Sequence, residues 1–337
     1  MESGLASTTV WRQVLAAAVR DVDELWSLLD LPAHYLPAAR EQAKTFPLVA
    51  TRPFIARMCQ GDVNDPLLRQ VVPLAAEGEV VPGYGPDPVG EGLVHNQPGL
   101  LRKYQGRALL ITTGSCAVHC RYCFRRHFPY QERPRGRRWW QGACAAIAAD
   151  ESIDEVILSG GDPLVLPDPE LTALVADLEA IPHLRRLRIH TRLPIMIPQR
   201  VDAALLAWLA AGRLDRVMVI HSNHAQELGD DVRDALQALQ RAGITVLNQA
   251  VLLRGINDSA EAQCALGQNL LHCGVIPYYL HALDPVAGAA HFAVTDQRAA
   301  AIMDELHRIA PGYLVPRLVR EVPGEAGKRW LWPRLGP

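Results

Sequence analysis

From residue 107 to 319 the chain repeats one beat, a short β-rich run and then an amphipathic helical stretch, roughly every 30 residues. Composition and spacing predict strands over 107–113, 155–159, 187–191, 216–221, 245–252 and 275–281, with a last strand-like run at 313–319. Helices are predicted between them, over 139–149, 168–180, 200–211, 225–242, 260–273 and 296–309. Strands joined through helices run parallel, because a tight hairpin cannot join neighbours that point the same way. The crossovers are right-handed, so the sheet curls in one direction. Six such units favour a partial (βα)6 barrel over an open doubly wound sheet. Polar residues gather at the C-terminal ends of the strands: Ser159, His190 to Arg192, His221, Gln249 and His281. In barrels that rim carries the chemistry.

Upstream, residues 9–68 read as helices, with apolar residues at helical spacing over 11–29 and a stop at Leu31-Pro32. A Pro/Gly-rich stretch over 81–99 reads as a loop draped over a surface. The expected organisation is α/β, with an N-terminal helical region and linker (1–98), the barrel (99–323) and a C-terminal tail (324–337). A chain of 337 residues buries a large core. A formal net charge of −2 argues against a nucleic-acid footprint or an anionic membrane partner. Arg133, Arg135, Arg137 and Arg138 form a local basic stretch, read as a solvated loop. No apolar run long enough to span a bilayer and no signal-peptide pattern occurs. Seven cysteines, three of them clustered, fit a reducing interior, so the expected location is cytoplasmic. Of the scattered four, Cys59, Cys144, Cys264 and Cys273, most sit in helix-like apolar contexts, and they are expected in the core.

The clustered three are Cys116, Cys120 and Cys123, in the run Ser-Cys-Ala-Val-His-Cys-Arg-Tyr-Cys-Phe. Three close neighbours do not make a disulfide framework, and zinc usually takes four ligands, with no second pair following here. Three nearby cysteines in an arbitrary soluble protein are more often core thiols or part of a zinc site. The C-x3-C-x2-C spacing, however, suits one loop wrapped around a corner of a [4Fe–4S] cube, leaving one iron open to a small molecule.

With aromatic Tyr122 before the third cysteine and an apolar run at 108–113 ahead of the first, this segment resembles the radical S-adenosylmethionine (SAM) enzymes. The resemblance implies a partial TIM-like radical SAM barrel with an N-terminal helical extension, a [4Fe–4S] cluster and SAM. One unit later, Ser159-Gly160-Gly161-Asp162 resembles the Gly-Gly-acid turn that holds the amino group of SAM in those enzymes. His221 and Gln249, at strand ends, are further expected SAM contacts. Near the end, Pro323-Gly324-Glu325-Ala326-Gly327-Lys328 is similar to the Pro-Gly-x-x-Gly-Lys segment of lysine 2,3-aminomutases, whose lysine holds pyridoxal phosphate (PLP).

The resemblance runs from about Asp65 to Lys328 and points to the branch that supplies β-lysine for elongation factor P. Matching segments are Asp65-Pro66-Leu67-Leu68-Arg69-Gln70-Val71, residues 120–130, Leu247-Asn248-Gln249 and Pro277-Tyr278-Tyr279-Leu280-His281. It implies that Arg125 binds the substrate carboxylate, that Asp284 and Glu321 bind the ε-ammonium, and that Lys103 and Arg107 bind the PLP phosphate. Those assignments agree with the chemistry of a free diamino acid, whose desolvated charges must each be paired. Free-standing aminomutases carry a zinc-binding cysteine where this chain has Ser259, and a cysteine-rich C-terminal extension where it stops at Pro337, so no zinc is expected. The implied reaction turns free L-lysine into (R)-β-lysine, with a flavodoxin- or ferredoxin-type reductant and a downstream ligase that acts on elongation factor P. A homo-oligomer is possible on this reading. Two alternatives stay open: an aminomutase for another amino acid, and a non-catalytic iron–sulfur redox protein.

Overall fold

The computed structural model describes residues 10–91, 99–130 and 137–333. Among them lie nine strands in one sheet whose spatial order follows the chain. They are β1 (Leu100–Leu101), β2 (Arg107–Thr113), β3 (Glu155–Gly160), β4 (Arg186–Thr191), β5 (Asp215–Ile220), β6 (Thr245–Val251), β7 (Ile276–His281), β8 (Arg317–Arg320) and β9 (Arg329–Trp330). Strands β2 to β8 pair in parallel, while β1 and β9 are antiparallel at the two edges. The edges do not pair with each other, so the sheet is an open, partial barrel. Six strand–helix units and a closing seventh parallel strand match the architecture expected from the sequence.

Alternation along the strands sorts side chains to two faces. Leu110, Val156, Leu158, Leu187, Ile189, Met218, Ile220, Leu280 and Leu318 are buried beneath the helices in one core. Residues of the opposite parity, among them Arg107, Ser159, His190, Gln249 and His281, face the concave side. The same core takes in Trp11, Leu25, Trp26, Phe54 and Leu68 from the N-terminal region, which packs on the barrel without a seam. Among the described residues no helix is long and apolar enough to cross a membrane.

The structure departs from the periodicity at a few places, each for a local reason. The helix expected over 225–242 is a 3-10 turn, Ala225–Glu227, followed by a helix Asp230–Arg241. Glu227 is drawn into a buried polar network and Gly229 takes the N-cap position, which splits the run. The helical run expected over 11–29 breaks at a bridge between Val19 and Ala50, and Asp21 caps a new helix Val22–Leu29. The helix expected from 200 starts at Ala203, because Asp202 caps it by accepting from the Leu205 N–H. The last strand starts at Arg317, since Gly312–Leu314 forms a 3-10 turn. Cys144 and Cys273 are buried as expected, but Cys59 is exposed. Of the basic stretch, Arg133 and Arg135 lie outside the described residues, and Arg137 and Arg138 open the helix Arg137–Ala148.

Candidate active site

The three clustered cysteines sit on the loop that leaves the C-terminal end of β2. Burial, reinforced by the neighbouring acid and thiols, pushes Cys116 well above the usual thiol range. Burial and then the charge of Cys120 push Cys123 up to about 11. Cys120 and Cys123 both act on Cys116, so the three sulfurs stand near one another, and a thiol ionises on meeting a cation. Among the described residues no three His, Cys, Asp or Glu close on a single metal ion.

The loop is gripped from outside the barrel. Arg121 donates to both oxygens of Glu77, at 2.8 and 2.5 Å, and to the Phe46 carbonyl at 2.7 Å. Arg126 donates to the same Glu77 at 2.8 Å and to the Gly288 carbonyl at 3.2 Å. Backbone bonds run from His119 N–H to Val49 O and from Arg121 N–H to Gln70 O, both 2.9 Å. Residues 46–77 thus clasp the cysteine loop through a buried pair of cations on one acid. The periodic reading of this region as packed helices missed that role. A charged residue in a segment otherwise destined for burial was the available signal.

The glycine turn lies against the same loop. Gly160 has φ +133°, and a Cβ there would sit 2.4 Å from the Thr113 carbonyl; at Gly161 it would sit 2.2 Å from that of Ser115. Both positions exclude a side chain because two backbones touch. Gly161 N–H donates to Thr113 O at 2.7 Å and Asp162 N–H to Ser115 O at 2.8 Å. Ser159 Oγ accepts from Arg125 at 3.0 Å, and the Gly160 carbonyl accepts from Tyr130 Oη at 2.9 Å. Asp162 corrects the expectation drawn from the motif. Its carboxylate accepts from Leu164 N–H (3.0 Å), Thr191 Oγ1 (2.7 Å) and Arg192 N–H (2.7 Å), tying β3 to β4. A carboxylate so engaged braces the turn, which makes its first task structural.

At the other end of the concavity the β8–β9 hairpin places the lysine. Val319 pairs with Trp330 and Arg320 with Arg329, so Glu321 and Lys328 meet across the next rung. Lys328 Nζ lies 2.5 Å from Glu321 Oε2, and Lys103 Nζ 2.6 Å from Glu321 Oε1, while Tyr104 Oη donates to the same acid. Burial alone would raise Glu321, but Lys328, Lys103 and Tyr104 together hold it down at about 2. Lys328 Nζ stands 5.9 Å from the ring centres of both Tyr104 and Tyr279. Arg107 stacks over Tyr104 at 5.1 Å. Lys103 and Arg107 therefore reach the same corner as Lys328, although Lys103 is engaged with Glu321.

Asp284 completes this corner. Burial first, then repulsion by Glu321, pushes its carboxyl up to about 7 against the pull of Lys328 and Lys103, and Oδ1 has no partner. Arg125 is buried and bound in a fork to Glu91, at 2.7 and 2.6 Å, with its other amino group on Ser159 and the Gly160 carbonyl. Between the two poles, the Nε2 atoms of His190, His221 and His281 are buried and unpartnered. Burial keeps all three neutral, with His221 lowered to about 4. The ring centres of His190 and His221 lie 5.7 Å apart. Gln249 is half-buried on β6 beside Tyr279. His190, Arg192 and His281 stood out only as strand-end polar residues, and Tyr104 and Glu91 not as site residues at all. Unsatisfied imidazoles and a carboxyl with a buried, unpartnered oxygen in one concavity are the mark of a space shaped for a polar ligand.

Comparison with known proteins agrees. Residues 110–263 match the family model described as the Radical SAM superfamily. The chain is 50% identical to the L-lysine 2,3-aminomutase of Escherichia coli (strain K12), over 94% of this chain and 93% of that one. It is 45% identical to the enzyme of that name from Haemophilus influenzae, over 94% of each chain. It is 32% identical to the one from Clostridium subterminale, over 96% of this chain and 78% of that one. The thiol loop, the open parallel barrel and this near-full-length similarity together show that the chain belongs to the lysine 2,3-aminomutase family of radical SAM isomerases.

Proposed function

We propose that the chain converts (S)-α-lysine to (R)-β-lysine with a [4Fe–4S] cluster, SAM and PLP, and that the product modifies elongation factor P. The observation that carries this reading is the Lys328–Glu321–Asp284 corner. An amine, a bound carboxylate and a second carboxylate in need of a cation face one another there.

When bound, the cluster supplies the electron that splits SAM into a hydrogen-abstracting species, and PLP supplies a conjugated carrier for the migrating nitrogen. The residues do the rest. Cys116, Cys120 and Cys123 would hold the cluster, three thiolates that leave room for SAM. Gly160 and Gly161 keep SAM's side of the loop narrow, with His221 and Gln249 as polar contacts. Lys328 would hold PLP, and Lys103 and Arg107 would supply the cations for its phosphate. Glu321, with Asp284, would receive the ε-ammonium of lysine in place of the Lys328 ammonium it holds now. In the ligand-free chain Lys328 thus occupies the charge position of the substrate's own distal amine. Arg125 receives the substrate carboxylate by exchanging one edge of its fork with Glu91. The enclosing walls exclude water from the reaction.

The reductant is of flavodoxin or ferredoxin type, and a ligase passes the product to elongation factor P in the cytoplasm. Zinc has no part in this reading, and Ser259 instead caps the helix Ala260–His272, accepting from Ala262 N–H at 3.1 Å. The test is turnover of 13C-labelled lysine, arginine and glutamate by anaerobically reconstituted protein with SAM, PLP and dithionite, followed by NMR. Labelled β-lysine from lysine alone is expected. Turnover of glutamate and not lysine would overturn the assignment of Asp284 and Glu321.

A further inference from the structure

Arg192 follows β4 directly, and its backbone N–H is pinned to Asp162 at 2.7 Å. Its guanidinium is buried and splits between two sets of partners. Nη1 donates to Cys120 Sγ at 2.9 Å and to Tyr122 Oη at 2.8 Å. Nη2 donates to Gln70 Oε1 at 2.6 Å and to Glu227 Oε2 at 2.9 Å. Glu227 is fully buried and accepts as well from Gln70 Nε2 (3.0 Å) and from the N–H groups of Asn223 (2.9 Å) and His224 (3.1 Å). Asn223 Nδ2 closes the network on Tyr122 Oη and Gln70 Oε1. A buried ion pair retained only for packing would need Glu227 and nothing more. Here four elements instead fix one N–H on the sulfur of a cysteine, and the reading above gives that contact no task.

We propose that Arg192 is a positioning residue that raises the reduction potential of the cluster held by Cys116, Cys120 and Cys123, and that Glu227 attenuates the effect. This rests on the reading of those cysteines as cluster ligands. Reduction adds one electron to the cluster and breaks no bond, so the reduced form carries one more negative charge. An N–H donor and a cation at a thiolate sulfur favour that charge. The Glu227 carboxylate, on the far side of the same guanidinium, offsets part of the cation's field. Opposite signs follow: Arg192→Gln lowers the potential, and Glu227→Gln raises it. Arg192→Lys keeps the charge without the fork and falls between wild type and Arg192→Gln.

The experiment uses the full chain, reconstituted anaerobically with iron and sulfide and titrated with dithionite against redox dyes, without SAM. Cluster absorbance is the readout. The expected shift is about tenfold in the one-electron equilibrium in each direction, or ~59 mV. Unchanged potentials at wild-type iron content, or shifts of one sign in Arg192→Gln and Glu227→Gln, overturn the inference and leave the cluster reading standing. Should Arg192→Gln fail to load, Glu227→Gln decides alone, and an unmoved or lowered potential there overturns the proposal. A wild-type chain that takes up no iron and sulfide overturns both.

Discussion

The two poles of the barrel's concave face are built on opposite principles. Around the cysteine loop, buried charges find partners within the protein: Arg121 and Arg126 share Glu77, and Arg192 meets Glu227. Around Lys328 the chain leaves its polar groups short, with one Asp284 oxygen and the Nε2 of His281 unpartnered. Two lysines crowd a single acid there. The first pole is close to finished before any ligand arrives, with the Nε of Arg126 and of Arg192 left over, because a loop must hold three thiols in place for a cluster to assemble. The second is unfinished, and on the proposed reading its missing partners are those of the small molecules it would receive.

Breaking the finished pole should do the most damage. Cys123→Ala is expected to abolish cluster loading and turnover together, read as iron content and product. Glu77→Ala leaves two buried guanidiniums without their acid, and breaking a buried pair costs about 3–5 kcal/mol. Denaturant unfolding of the cofactor-free chain measures it, and a loss under about 1 kcal/mol would show the clasp to be ornamental. At the unfinished pole the effects are smaller and depend on ligand. Asp284→Asn should weaken lysine binding by about ten- to a hundredfold, the worth of one charge-assisted bond, with little change in stability. The pH dependence sharpens this. Asp284 titrates at about 7 and binds an ammonium only when ionised, so lysine affinity should rise as pH climbs through 7 and flatten above it. Calorimetry should also record a proton released on binding, and the Asn variant should lose both signatures. Smallest of all, Ser259→Ala removes one helix cap and should cost about 1 kcal/mol, with no change in cluster or PLP content.

Much of the frame was legible in residue order, since strand and helix periods are local and the six units repeat them. The cysteine triplet was legible for the same reason, as ligand spacing on one loop is a local quantity. What resisted reading was direction. A Gly-Gly-Asp run tells where the chain turns but not which way the carboxylate faces, and Asp162 faces β4. Glu227 sat inside a helical pattern, and its pull toward Arg192 and Gln70, with Gly229 at the next N-cap, breaks the helix there. Lys328 is an ordinary tail lysine until β9 pairs with β8 and sets it across from Glu321.

Residue order alone therefore determined the parallel barrel, through strand and helix periods repeated along the chain, and the three-thiol loop and the lysine near the end, which are local patterns. The tertiary structure alone decided which charges meet. Glu77 lies 44 residues from Arg121, and Gln70 lies 122 from Arg192. No local pattern records such a pairing. It arises only when the folded barrel excludes water and each buried charge must find an opposite or wait for a ligand.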